Sequence, residues 1–125
     1  AYDYKTETAT YPVYALNPEI MESAYYLFNV TGDSTYYHRN RLYWQSLKAY
    51  CKTDVAFTSL ENVETKAQRD YMPTFFFAET LKYLYLTFTN RNDLDFTDFV
   101  FTTEAHPFRK SNFDPEKVKV FLGIP

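Results

Sequence analysis

The sequence predicts an all-α fold interrupted by short β-hairpin segments. Three observations carry that reading. Apolar residues recur at helical spacing over residues 18 to 29 and 35 to 50, and a densely apolar run fills 75 to 88. The first two stretches carry start or stop signals of the kind helices use. The remaining apolar runs, around 54 to 63 and 99 to 101, are too short for helices and read as strands or hairpins.

Each element has a local reason. Residues 1 to 15 alternate Tyr and Thr with charge, contain Pro12 and read as extended or irregular chain. Asn17-Pro18-Glu19 reads as a helix start, with Asn17 as the cap and Pro18 in the first turn, where its missing N–H costs nothing. Met21, Ala24, Tyr25 and Phe28 form the stripe of this helix, and Gly32 is its left-handed stop. Asp33 or Ser34 caps the second helix. Its expected buried stripe is Tyr37, Asn40 or Arg41, Trp44, Leu47 and Cys51, with His38, Arg39, Gln45 and Lys48 in solvent. Residues 64 to 71 read as polar chain. In the third helix, Phe75, Phe76, Phe77, Ala78, Leu81, Tyr83, Leu84, Tyr85, Leu86 and Phe88 cover nearly every face, the pattern of a helix buried all round. Residues 90 to 98 read as a polar turn. Residues 109 to 125 are polar and limited by proline, with a short apolar end at Val118, Val120 and Phe121.

Composition narrows function. The 125 residues include 13 Tyr, 12 Phe, one Trp, two Gly and one Cys. Two glycines exclude phosphate-cradling loops and nucleophile elbows. One cysteine excludes an internal disulfide and a cysteine-built zinc site. A net charge of -3 without a long basic run makes nucleic acid a poor partner. No apolar stretch reaches the length of a membrane-spanning helix. The chain opens at Ala1 without an initiator Met, which reads as a boundary set by processing or cloning. Two organisations fit the apolar third helix: a small all-helical domain with an aromatic core, or one slice of a larger helical assembly.

The residues able to carry chemistry are mostly carboxylates. Glu19 and Glu22 share one helix face, Glu79 lies on the apolar helix, and Glu104 and His106 follow a short strand. Each has an ordinary structural use: a first-turn carboxylate favours the helix amino end, a buried one pairs with a cation, and a loop histidine bonds backbone. Together, acid groups flanked by aromatic rings fit a carbohydrate site, and oxygen-rich ligation suits a hard cation such as calcium. No EF-hand loop is present. Asn29-Val30-Thr31 is an acceptor sequon for N-glycosylation at a helix end.

Three ordered runs resemble a known family. Phe75-Phe-Phe-Ala-Glu-Thr-Leu-Lys-Tyr-Leu-Tyr-Leu-Thr-Phe88 resembles the signature helix of glycoside hydrolase family 47. Its members are class I alpha-1,2-mannosidases and their degradation-enhancing relatives. Leu16-Asn-Pro-Glu-Ile-Met-Glu-Ser23 is similar to the family's Leu-Arg-Pro-Glu-x-x-Glu-Ser, and Phe99-Val-Phe-Thr-Thr-Glu-Ala-His-Pro107 to its Val-Phe-Asn-Thr-Glu-Ala-His-Pro. The resemblance covers roughly residues 10 to 108.

It implies an (alpha/alpha)7 barrel, of which residues 1–125 would form the carboxyl-terminal portion of a single catalytic domain. It implies inverting, calcium-dependent (Ca2+) removal of alpha-1,2-linked mannose from N-glycans, in the endoplasmic reticulum or Golgi lumen. By position, Thr103 matches the calcium ligand and Glu19 a candidate base. Glu22, Glu79 and Glu104 match residues on calcium-bound water or sugar hydroxyls, and Phe75 a ring beside the mannose. Cys51 falls where many members place half of a disulfide, whose partner would lie upstream of Ala1. The implied partners are a high-mannose N-glycan, the upstream part of the same domain, and a disulfide isomerase. The general acid lies in that upstream part, so the chain alone is expected to be inactive. Three departures stand beside the matches: Asn17 for Arg, Met72-Pro73-Thr74 for Met-Glu-Ser, and Thr102 for Asn. They leave open a catalytically weak, mannose-binding module of glycoprotein quality control.

Overall fold

The computed structural model describes residues 1–89 and 94–125. The first four residues of the expected polar turn at 90 to 98 lie outside the described residues. The chain forms two compact units, Ala1–Thr89 and Asn90–Pro125.

Unit one is built on three helices. Helix α1 spans Glu19–Thr31, α2 spans Ser34–Ser46 and α3 spans Lys82–Phe88. Two of them adjoin π-helical turns: α2 runs into Leu47–Cys51, and Phe76–Leu81 leads into α3. A β-hairpin of β1 (Tyr2–Asp3) and β2 (Thr8–Ala9) opens the chain, and β3 (Ser59–Asn62) pairs antiparallel with β4 (Ala67–Arg69) between the helices.

The helix ends follow from their residues, with one exception. Gly32, at φ 70°, stops α1 and donates its N–H to the Phe28 carbonyl at 2.9 Å. Asp33 caps α2, its Oδ1 accepting from the Thr35 N–H at 2.8 Å. Asn17 does not cap α1. Pro18 occupies that position without a side-chain cap, and the Asn17 Nδ2 donates instead to Glu19 Oε1 at 3.3 Å.

Helices α1, α2 and α3 pack against one another. Aromatic rings join them in series: Phe28 to Tyr37 at 5.8 Å, Tyr37 to Phe88 at 5.5 Å, and Tyr25 to Tyr83 at 5.6 Å between centroids. A second series runs from Trp44 through Phe57 to Phe76 at 6.0 and 5.1 Å. Among the alternatives for the α2 stripe, Asn40 is buried and Arg41 exposed. The Asn40 Nδ2 donates to the Met21 carbonyl at 3.1 Å and to Thr87 Oγ1 at 2.8 Å, so one buried amide ties α2 to both neighbours.

The expectation of a third helix buried all round is corrected. Phe77 and Tyr85 are 59% and 52% exposed, whereas Phe76, Glu79, Thr80, Tyr83, Leu84 and Thr87 are buried. One face is apolar and open, and the buried face mixes rings with hydroxyls and a carboxylate. The polar segment 64 to 71 contributes β4, whose Gln68 pairs with Leu60 across the hairpin.

In unit two, β5 (Phe99–Phe101) pairs antiparallel with β6 (Pro107–Arg109), followed by a 3-10 turn at Lys110–Asn112. A further helix, α4, spans Pro115–Leu122 where polar chain was expected. Its signals are local: Asp114 Oδ1 accepts from the Glu116 and Lys117 N–H groups, Pro115 opens the first turn, and Gly123 ends it at φ 64°.

Replacing Asn40 by Ala removes two donors and leaves the Met21 carbonyl buried without its side-chain partner. Loss of such a buried bond costs about 1–3 kcal/mol. Urea denaturation of Asn40→Ala is expected to show an unfolding free energy lowered by that amount, with the midpoint moved to lower urea, and an unchanged midpoint contradicts the role given to this amide.

Candidate functional site

The segment before α1 and the helix that ends unit one are joined by a buried bond. Leu16 adopts φ 63°, a left-handed conformation costly for a bulky residue. Its carbonyl accepts from Thr80 Oγ1 at 2.6 Å, and both residues are buried. Pro18 follows, also buried, and Glu19 begins the helix. Glu19 is exposed and borders an open groove with Ser23, Arg39 and Tyr43.

Glu22 stands one turn on and is half-buried. Its Oε1 accepts from the Tyr83 hydroxyl at 3.1 Å. Tyr83 is wholly buried, and its ring lies 6.1 Å from that of Tyr26. Burial, followed by the neighbouring Tyr26 and Glu22, pushes the Tyr83 hydroxyl well above the usual phenol range. Burial also raises Tyr26, with a lesser contribution from Glu22 and an opposing one from its hydrogen bond with Tyr83. Both phenols therefore stay protonated, and Tyr83 remains a donor to the carboxylate. Glu79 is 9% exposed and sits one turn before Tyr83 on the same face. Phe75 is half-buried at the entry to the π-helical turn.

Thr103 and Glu104 belong to unit two, in the loop between β5 and β6, and both are exposed. The loop is closed by its first residue: the His106 N–H donates to Thr102 Oγ1 at 3.1 Å, and the Ala105 N–H to the Thr102 carbonyl at 2.9 Å. Ala105 completes the turn at φ 57°. The side chain of Thr102, one of the departures noted above, is thus used locally. Among the described residues the Thr103 hydroxyl and carbonyl take part in no hydrogen bond, leaving two adjacent hard oxygen donors. That donor set fits a calcium ion that draws its other ligands from elsewhere. Among the described residues no group of three or more His, Cys, Asp and Glu side chains could hold a metal.

Cys51 requires a correction. It is the chain's one cysteine and a free thiol, 2% exposed, so a disulfide bond within this chain is excluded. Cys51 lines an apolar cavity of about 160 Å³ with Tyr14, Met21, Leu47 and Leu60. Burial pushes its thiol up to about 11, against a smaller opposing pull from Lys66. Asn29 is exposed near the end of α1.

The residues overlooked in the sequence are Tyr26, Tyr83 and Thr80. Each carried a signal: Tyr26 lies four after Glu22, Tyr83 four after Glu79, and a threonine follows Glu79 directly. Counting rings as apolar hid the two tyrosine hydroxyls.

In unit one the half-buried Glu22 carboxylate thus accepts from the buried Tyr83 hydroxyl, and in unit two the loop after β5 leaves the oxygens of Thr103 unbonded among the described residues. The profile of glycosyl hydrolase family 47 matches residues 2–110, and the chain belongs to that family. It is 38% identical over 121 residues to ER degradation-enhancing alpha-mannosidase-like protein 3 of Xenopus laevis, covering 94% of this chain and 13% of the relative. It is 37% identical to mannosyl-oligosaccharide 1,2-alpha-mannosidase MNS1 of Arabidopsis thaliana, covering 86% and 19%. An alpha-1,2-mannosidase from Trichoderma reesei superposes with a TM-score of 0.75 at 38% identity, over 81% of this chain and 22% of that one. The chain thus spans less than a quarter of each of these relatives. The mostly helical fold with small hairpins agrees with the solved relative.

Because its thiol is buried and protonated, Cys51 is expected to react with iodoacetamide at pH 8 far more slowly in the folded chain than in 6 M guanidinium. Equal labelling rates under both conditions contradict its burial.

Proposed function

We propose that this chain is the carboxyl-terminal part of an (alpha/alpha)7 catalytic domain that removes alpha-1,2-linked mannose from N-glycans with inversion, in the endoplasmic reticulum or Golgi lumen. The observation that carries the reading is the pairing of two family motifs in space: Thr80 of the signature helix holds Leu16, and Tyr83 of the same helix holds Glu22. Residues that the family motifs place in sequence are linked here by one buried and one partly buried bond.

Glu19 is the base that takes a proton from the attacking water. Its exposure at the head of α1 leaves the carboxylate open to solvent, and the Asn17 amide steers one oxygen. Inversion requires a second carboxyl about 6.5–9.5 Å away, with water between the two. That general acid is assigned to the remainder of the domain, and the chain alone is inactive. Glu22, Glu79 and Glu104 bind sugar hydroxyls or the water around the cation, and Phe75 offers its ring to the apolar face of the mannose. Thr103 would hold calcium through its hydroxyl and carbonyl oxygens. Bound calcium supplies a hard, positively charged anchor for sugar hydroxyls at the base of the pocket.

A second reading has its own observation. Asn17 stands where the family has arginine and makes a single hydrogen bond to Glu19 instead of a bidentate contact. A domain so altered could keep mannose binding while losing turnover, as a recognition module for high-mannose glycoproteins.

The test uses the full-length protein and a high-mannose glycan. Glu19→Gln is expected to lower kcat for mannose release by about 10²–10⁴-fold with KM little changed. Thr103→Val is expected to raise the calcium concentration needed for half-maximal rate. Wild-type turnover in Glu19→Gln overturns the role of Glu19. Glycan binding without any release by the unmodified protein favours the recognition module.

A further inference from the structure

The sequon Asn29-Val30-Thr31 occupies the last three positions of α1, and all three residues are exposed. Its polar atoms are already used by the helix. The Asn29 Nδ2 donates to the Tyr25 carbonyl at 2.8 Å, and Thr31 Oγ1 donates to the Leu27 carbonyl at 2.7 Å. The same hydroxyl accepts from the Asp33 N–H at 3.1 Å, bridging α1 to the cap of α2.

We propose that Asn29 is an N-glycan attachment site and that it is modified before α1 forms. This inference rests on the lumenal location given above. A transferase that recognises a sequon must engage the asparagine amide and the threonine hydroxyl together. On an α-helix, residues two apart lie about 200° around the axis and face away from each other. The helical form of Asn29 and Thr31 therefore presents its two recognition groups on opposite sides, with both bound to backbone.

In the transfer itself, Asn29 Nδ2 forms a bond to the anomeric carbon of an oligosaccharide carried on a lipid diphosphate. The bond from that carbon to the diphosphate oxygen breaks, the lipid diphosphate leaves with the electron pair, and one amide proton passes to a base of the transferase.

The folded helix nevertheless accommodates the product. A glycosylated Nδ2 keeps one N–H, enough to maintain the bond to the Tyr25 carbonyl. Asn29 is itself exposed, and Val30 beside it is open to solvent. The glycan projects from the end of α1 without displacing a neighbour in unit one. The fold thus admits the modified state but not the modification, which sets the order of events.

The experiment translates the full-length protein in the presence of microsomes and scores lumenal entry by protease protection, separately from glycosylation. The wild type and Thr31→Ser are expected to lose the mass of one more N-glycan on amidase digestion than Asn29→Gln and Thr31→Ala. The completed, folded protein purified in its unglycosylated form and supplied to solubilised microsomes is expected to remain unmodified at Asn29. A protease-protected protein with no glycan on Asn29 overturns the site and leaves the lumenal reading intact. A protein that never becomes protected overturns both. Modification of the folded protein as efficiently as the nascent one overturns the order.

Discussion

The hydroxyl of Thr80 donates to the carbonyl of Leu16, and most of unit one's candidate site depends on that buried bond. It spans 64 positions of sequence, joins the extended segment before α1 to the signature helix, and holds Leu16 in a left-handed conformation that the chain would otherwise avoid. With Leu16 fixed, Pro18 and Glu19 enter α1 at one place and one angle. Buried polar bonds of this kind add little net stability but penalise every arrangement that leaves one partner unmatched. The bond therefore selects the geometry more than it supplies the energy. Cohesion comes from the rings of Tyr25, Tyr37, Phe57, Phe76 and Tyr83 between the helices.

The π-helical turn that precedes α3 belongs to the same design. A wider turn redirects the side chains that follow it, and such turns occur often at functional sites. Here it spans Phe76–Leu81 and contains Glu79 and Thr80, two of the polar residues on a ring-rich buried face. Tyr83 follows at once and reaches Glu22 on α1. A carboxylate, a threonine and a tyrosine are thus presented from one short stretch of backbone, the first two adjacent and the third about a turn further on. In unit two the corresponding economy is the Thr102-closed loop, which leaves the oxygens of Thr103 unspent.

Local signals were legible and non-local ones were not. Asp33 and Gly32 mark their helix ends because each acts through bonds within a few residues. Asp114, Pro115 and Gly123 carry the same signals for α4, obscured by the polar residues between them. Asn17 had the composition of a cap, but a neighbouring carboxylate took its amide. β4, Ala67–Arg69, has no apolar alternation because all three residues are exposed, so only its pairing with β3 identifies it. On the third helix the binary pattern inverted: Phe77 and Tyr85 face outward while Glu79 and Thr80 are buried. Hydropathy alone does not say which ring meets a neighbour or which carboxylate finds a hydroxyl. The family was legible through three ordered motifs, whereas the tyrosine hydroxyls around Glu22 were hidden because a tyrosine counts as apolar until its hydroxyl has a partner.

Hydrogen exchange on Thr80→Val and Thr80→Ser tests the central dependence most directly. Valine keeps the shape of threonine and removes the donor, whereas serine keeps the donor. In Thr80→Val the Glu22 amide, which bonds to the Pro18 carbonyl at 2.9 Å, is expected to exchange about 2- to 10-fold faster, the equivalent of one lost hydrogen bond. The Thr35 amide on the Asp33 cap keeps its rate, and Thr80→Ser restores the Glu22 amide. Equal acceleration at both amides, or none at Glu22, would contradict the claim that this bond sets the entry of α1.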